Sequence, residues 1–302
     1  MFLTRLELLT EALFGKHLIN NVALIKARAI NHKHLAILKN NGKLKNLFLN
    51  DRCFIVGNGP SLENTDLHFL ASEKVFTCNY FALSKQFHEI HPLAHFIMDS
   101  RFFMNDSTES LSPLQKTFSA CSNNRVKYLF LNFETSDALK SYTVDKSIDI
   151  HFIAQNPNST LEHPINLCSY IPSFPTVIHA AICTALYMGF NEIYLIGCDC
   201  TGFVSYAKAY EKKPVAFNYG FDIDRESEKV INKNMTSNPI QEELRWYAQI
   251  FDDYEKLDAY CKENNSSLVN LTKGGVLTSI PHKNYDTMLK QLNISPTPLS
   301  QR

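Results

Sequence analysis

Short apolar runs recur along the chain, and most close on a glycine or a small polar residue. Residues 52–56 are Arg-Cys-Phe-Ile-Val and stop at Gly57-Asn58-Gly59-Pro60. Residues 74–78, 94–98 and 126–131 behave alike, ending at Asn79, Asp99 and Asn132. Residues 148–153 and 192–197 follow, the second leading to Asp199, and 267–271 is the last. Runs of this length without polar alternation predict strands buried on both faces, as in a parallel sheet.

Longer segments carry the helical period. Leu3, Leu6, Leu9, Leu13 and Phe14 recur at three- and four-residue spacing, so 1–45 predicts helix until Asn40-Asn41-Gly42 breaks the pattern. Residues 176–188 follow Pro175 and stop at Gly189, the usual punctuation of a helix. Residues 239–263 predict another. Residues 203–238 are polar and aromatic without a clear period, which predicts an irregular, lid-like insertion. The tail 291–302, with Ser-Pro-Thr-Pro, predicts no element.

Strands alternating with helices define an α/β chain: a Rossmann-like, mostly parallel sheet with helices on both faces. The expected organisation is an N-terminal basic helical arm over 1–50, a nucleotide-sugar-binding catalytic domain over 51–290 with its insertion at 203–238, and a flexible tail over 291–302.

Composition is globular, with 45% hydrophobic residues and zero net charge, so no global field points to nucleic acid. The charge is uneven. Eight Lys/Arg stand against Glu7 and Glu11 in the first fifty residues, leaving that arm at +6. Such an arm suits packing on the main domain, contact with a second subunit in a homo-oligomer, or an anionic membrane surface. The expected location is the cytoplasm, with peripheral attachment to the inner face of the membrane through the arm. There is no 18-residue apolar span, and Glu7 and Glu11 interrupt the stretch that a signal peptide would need. Eight cysteines include no CxxC pair, and Cys198-Asp199-Cys200 lacks a second ligand pair, so no metal site is expected and reduced thiols fit.

In parallel sheets ligands lie at the carboxyl ends of the strands. Those ends carry Gly57-Asn58-Gly59, Asn79, Asp99, Asn132, Asp199 and Asn270. Two glycines allow close backbone approach, and Pro60 fits a first helical turn, so the loop reads either as a phosphate cradle or as an ordinary strand–turn–helix corner. No Walker lysine follows.

Three blocks carry a family resemblance: Ile55–Leu62, Thr77–Phe81, and Gly189–Asp199. They resemble the bacterial sialyltransferases of glycosyltransferase family 42, metal-independent Rossmann-like enzymes that use CMP-sialic acid. The same blocks, with Asn270–Leu277 and Ile280-Pro281-His282, are similar to the wider family related to archaeal 6-hydroxymethylpterin diphosphokinase, which includes proteins implicated in flagellin glycosylation. The resemblance spans roughly 52–285 in scattered blocks.

It implies a metal-independent glycosyltransferase of surface-polysaccharide or glycoconjugate assembly. The partners would be a nucleotide-sugar donor, with CMP-sialic acid or a related CMP-sugar the nearest match, and a glycan or glycolipid acceptor. No cofactor beyond the donor substrate is implied. Gly57, Asn58, Gly59 and Ser61 would meet the nucleotide, and Asn79 matches a donor-binding asparagine. Asp99 stands where the sialyltransferases have asparagine. Thr176 matches the start of a Thr-Ser-Gly, although Val177 and Ile178 replace its other members. Ser205-Tyr206-Ala207 matches a motif whose tyrosine steadies the leaving phosphate, and Thr201 falls at its partner tyrosine. Gly274 belongs to the C-terminal block. The base histidine of the sialyltransferases has no counterpart between Asn238 and Tyr247. Candidates for a base are Asp199, Glu242, Glu243, His179 and His282. Lys212, Lys213 and Arg225 are candidates to neutralise phosphate, and Trp246 and Tyr247 to stack on a base or sugar, each against the plainer reading of a solvated or core-packed side chain.

A diphosphokinase-type phosphoryl transferase, with Mg²⁺ held by Asp99 and Asp199, remains an alternative. So does a non-catalytic nucleotide-binding scaffold.

Overall fold

Residues 36–104, 112–161, 164–205, 219–233 and 239–292 are described in a computed structural model of the chain. Seven strands build the main sheet: β1 (Arg52–Val56), β2 (Val75–Cys78), β3 (Ala94–Ile97), β4 (Tyr128–Asn132), β5 (Asp149–Ile153), β8 (Glu192–Ile196) and β9 (Ser267–Asn270). Their order is β5-β4-β3-β2-β1-β8-β9, and every pairing is parallel. Two short strands, β6 (Gln155–Asn156) and β7 (Ile171–Pro172), pair separately. The fold is the Rossmann-like α/β sheet expected from the apolar runs.

The helices are α1 (Lys85–Ile90), α2 (Arg101–Met104), α3 (Pro113–Asn123), α4 (Val177–Met188), α5 (Arg225–Lys233), α6 (Ile240–Glu263) and α7 (Tyr285–Gln291). Side chains alternate across each strand, so one run feeds two cores. Cys53 and Ile55 of β1 and Phe76 and Cys78 of β2 pack against Ala180, Ile182 and Cys183 of α4 and Tyr254 and Leu257 of α6. Phe54 and Val56 join the opposite core, with Phe87 of α1, Phe118 of α3 and Met288 of α7. Burying each large apolar side chain contributes about 1.5–3 kcal/mol. That two-sided demand is why the strands read as continuous apolar runs.

Helix α4 begins where its sequence says. Thr176 is the N-cap, its Oγ1 accepting from Ile178 N at 2.9 Å, and Gly189 closes the helix at φ +97°.

Four expectations need correction. The first loop opens only a 3₁₀ turn over Pro60–Asn64, not an α-helix. The insertion is not irregular throughout: α5 lies within it, and Lys116 of α3 meets Asp224 beside it at 3.1 Å. Residues 206–218 and 234–238 of that insertion lie outside the described residues, as do most of the arm (1–35) and the tail from 293.

The third correction concerns Asn40-Asn41-Gly42, which does not interrupt the chain. A 3₁₀ helix runs through it, Lys39–Leu44, because Asn41 is a buried clamp. Its Nδ2 donates to the carbonyls of Phe152 and Leu167, both at 2.8 Å, and its Oδ1 lies 2.8 Å from His151 Nδ1. The fourth concerns the boundary at residue 50. Asn46, Phe48 and Asn50 donate backbone N–H bonds to Tyr187, Met188 and Gly189, and Phe48 stacks on Phe190 at 4.8 Å. Residues 36–50 therefore pack with the sheet domain. No helix among the described residues is long and apolar enough to cross a membrane.

Candidate active site at the switch point of the sheet

From β1 the chain runs outward through β2 to β5, then returns to place β8 on the other side of β1. The crevice of a doubly wound sheet opens at such a reversal. Register sets its floor level: Val56 pairs with Ile196, so Gly57 and Gly197 leave the sheet side by side. A cavity of about 680 Å³ lies over these strand ends.

The floor is built from close backbone contact. Gly57 N donates to Ile196 O and Gly59 N to Gly197 O, both at 2.8 Å. A β-carbon on Gly57 would fall 2.4 Å from Gly197 O, and one on Gly59 would fall 1.8 Å from Asp199 Oδ2. The glycines are there to let the two strand ends touch. The anion cradle is answered from within the chain. Ser61 N donates to Asp199 Oδ1 at 3.2 Å and Ser61 Oγ donates to Oδ2 at 2.8 Å. The Asp199 carboxylate thus takes the place at the start of the Pro60 turn that the sequence offered to a phosphate.

Asp199 is only 5% exposed, and burial raises its pKa, opposed by the bonds from Ser61. Ser61 does not line the cavity.

Asn58 and Asn79 do line it. With its amide assigned by its neighbours, Asn58 donates to Cys78 O at 3.3 Å and Gly57 O at 3.1 Å. Asn79 sits at φ +53°, and its main-chain carbonyl lies 3.0 Å from His95 Nε2. Its buried Oδ1 has no hydrogen-bond partner. An acceptor left unpaired at a cavity wall costs about 1–3 kcal/mol unless a ligand or water supplies a donor. Thr176 and Thr201 line the cavity too, the first with its hydroxyl engaged as the cap of α4.

Asp99 is at the cavity beside Arg101, a residue that belongs to no motif in the sequence. Asp99 Oδ2 accepts from Arg101 Nε at 2.9 Å and Nη2 at 2.7 Å, a forked ion pair. Arg101 is the one basic side chain among the described lining residues; Asp99, Asp199 and Glu243 are the acids.

The opposite wall is a face of α6. Glu243, Trp246, Tyr247, Ile250 and Tyr254 recur at three and four residues and all line the cavity. The helical period of 239–263 gave this face, and the structure aims it at the strand ends. Glu243 is 1% exposed, whereas Glu242 next to it is exposed. Trp246 is 40% exposed, at the edge of the space. Burial pushes the Tyr254 hydroxyl and the Cys198 thiol well above their usual values, and the Cys200 thiol up to about 12.

The two histidines proposed as bases are not in this space. His179 is fully buried under α6, its ring 4.2 Å from that of Tyr254, and neither ring nitrogen has a partner. Burial, with Lys256 a lesser cause, lowers its pKa to about 3, so it stays neutral and out of reach of substrate. His282 ties the C-terminal loop to β9: its Nε2 lies 3.1 Å from Thr272 O, and Asn270 N donates to Pro281 O at 2.8 Å. Gly274 is exposed, at φ +150°, with open space around it, and does not line the cavity. Arg225 likewise lies off the lining, at the start of α5. Tyr206, Lys212 and Lys213 lie outside the described residues.

Fold and cavity together define an α/β protein with a polar strand-end floor and an aromatic helical wall. The family described as 6-hydroxymethylpterin diphosphokinase MptE-like matches residues 26–202, and the chain belongs to that family. No curated protein matches it by sequence. Among solved structures, MAf glycosyltransferase from Magnetospirillum magneticum AMB-1 is 14% identical with a TM-score of 0.44, over 87% of this chain and 41% of that one. This chain therefore spans less than half of that protein. The sialyltransferase CstII from Campylobacter jejuni, solved with the substrate analogue cytidine-5'-monophosphate, is 17% identical with a TM-score of 0.42, over 78% of this chain and 86% of that one. A second structure of that sialyltransferase, with trisaccharide acceptor and CMP, is 19% identical with a TM-score of 0.44, over 78% and 87%.

Proposed function

We propose that the chain is a glycosyltransferase that takes a sugar from a nucleotide-activated donor, a CMP-sugar by preference, without a metal. The observation that carries this reading is the pairing across one cavity of Asn79, with its buried unpaired Oδ1, and the Trp246–Tyr247 wall. An amide acceptor at the floor suits a donor N–H or O–H of a nucleoside, and aromatic side chains suit the face of a base or sugar ring. The family resemblance adds Tyr206 as the group that steadies the leaving phosphate. The acceptor would be a glycan or glycolipid hydroxyl, and the arm a contact for membrane or a second subunit. Calorimetry with CMP, UDP and GDP, followed by donor hydrolysis with and without Mg²⁺, tests the reading. Saturable nucleotide binding and EDTA-resistant hydrolysis support it, and no binding at millimolar nucleotide ends it.

A second reading is a Mg²⁺-dependent phosphoryl transfer of the diphosphokinase type. Among the described lining residues three carboxylates stand against one basic side chain, Arg101, and that favours it, since acids suit a metal-bound phosphate. Activity abolished by EDTA would select this reading.

A further inference from the structure

We infer that His95 is a positioning residue: it holds Asn79, with its unpaired side-chain acceptor, at the cavity wall and thereby sets nucleotide affinity. The inference rests on the nucleotide-donor reading and names what presents Asn79 to the donor.

His95 lies within β3 with no exposed surface, its ring 5.6 Å from that of Phe87 of α1. A polar ring in an apolar core is costly unless its nitrogens are partnered. Both are. Register makes His95 the neighbour of Thr77 on β2, and its Nδ1 lies 2.8 Å from Thr77 Oγ1. Its Nε2 lies 3.0 Å from the main-chain oxygen of Asn79, the residue that follows β2. That oxygen can only accept, so Nε2 carries the hydrogen. Burial, opposed by the bond to Asn79, lowers the His95 pKa to about 3, so the ring is neutral and Nδ1 accepts. Thr77 Oγ1 is then the donor, and its other partner, Ala94 O, is farther off at 3.4 Å. One chain of bonds runs in one direction, from Thr77 through His95 to Asn79.

The residue at the end of that chain carries two costs. Asn79 opens a 3₁₀ turn over Asn79–Leu83 at φ +53°, in the left-handed region, and its buried Oδ1 has no partner. Such a conformation persists where the surrounding structure over-determines it. Other strand-end side chains are spent internally. Asp199 is bonded to Ser61, Asn132 to Met98 O and Glu134 N, and Asn270 to Leu277 O and Thr272 N. At Asn79 the main chain is tied down and the side-chain oxygen is left over, in a residue that lines the cavity. His95 does not line it, so it acts on a ligand only through what it holds.

The test uses the full chain, with calorimetric Kd for whichever of CMP, UDP and GDP wild type binds best, and the melting temperature to report folding. Asn79→Ala is expected to raise Kd about 3–10-fold, the worth of one hydrogen bond. The amide nitrogen of a glutamine falls near Nε2, so His95→Gln keeps the donor to Asn79 and is expected to keep the wild-type Kd. Asparagine is shorter, so His95→Asn keeps a partner for Thr77, loses Asn79, and is expected to raise Kd as far as Asn79→Ala does. In the Asn79→Ala background His95→Asn should raise Kd no further, because both changes remove the same contact. An additive rise marks a general loss of structure and overturns the inference. So does a wild-type Kd for Asn79→Ala or His95→Asn, or a His95→Gln variant as weak as His95→Asn. If His95→Asn does not fold, Thr77→Val decides: a raised Kd that disappears in the Asn79→Ala background upholds the inference, and an unchanged Kd or an additive rise overturns it. Wild-type protein that binds none of the three nucleotides overturns the donor reading and this inference with it, whereas binding that the His95 variants leave untouched overturns the inference alone.

Discussion

The carboxylate of Asp199 lies against Gly59 so closely that a β-carbon on the glycine would sit 1.8 Å from Oδ2. The end of β8 is thereby bolted to the turn after β1, and the floor of the cavity depends on it.

Gly59→Ala is accordingly expected to destabilise the chain by about 1–3 kcal/mol, the cost of forcing extra volume into a packed site. The rigid neighbours make accommodation poor, since Gly197 O is also within 2.7 Å of the added carbon. Urea unfolding of the variant checks it, and a midpoint equal to wild type would refute it.

Asp199 also sets a pH dependence. Its pKa is raised above 3.8 in the folded chain. The folded state therefore holds that proton more tightly, and the contribution is complete below about 3.8 and lost as pH rises through the folded pKa. Relative to Asp199→Asn, wild-type stability should fall across that window. Denaturant titrations of both proteins between pH 3 and pH 7 measure the difference; a difference constant with pH counts against it.

His179 shifts in the other direction. Its folded pKa, about 3, is below the ordinary 6.5, so the unfolded chain gains a proton first on acidification. Between those values wild type should lose up to about 1.4 kcal/mol per pH unit. His179→Leu removes this dependence and two unpaired ring nitrogens. It is expected to stabilise by about 1–3 kcal/mol at pH 5, with donor turnover retained. Loss of turnover in a folded variant would return His179 to the catalytic group.

Trp246 is the single tryptophan of the chain and lines the cavity while 40% exposed. Its fluorescence should change saturably with added nucleotide. Trp246→Ala should weaken nucleotide binding by about 0.5–1.5 kcal/mol, the worth of an aromatic stack. Fluorescence indifferent to a nucleotide that calorimetry shows to bind would place the ligand away from α6.

Local sequence signals decided the strands. Most are short, apolar on both faces and closed by a glycine or a small polar residue, and those closures fixed where a ligand cavity would open; β5 alternates, with Asp149 and His151, and runs on into Ala154. The cap and stop of α4 were equally legible, because Thr176 and Gly189 act on their own helix ends. The α6 period gave the face that carries Glu243 and Trp246, without saying what it would meet.

Only the tertiary structure decided which polar residues share the cavity. His179 has the sequence of a helix-borne base, yet α6 covers it and leaves its ring neutral. Ser61 and Asp199 lie 138 residues apart and satisfy each other instead of a phosphate. Arg101 carried no motif and entered the wall through its pairing with Asp99. Asn41 reads as a helix breaker, and partners more than a hundred residues away make it a clamp. A sequence pattern reports the face and the end of an element, since both are set by neighbours three or four residues off. Whether a polar group there is spent internally or left for a ligand depends on what the fold brings against it.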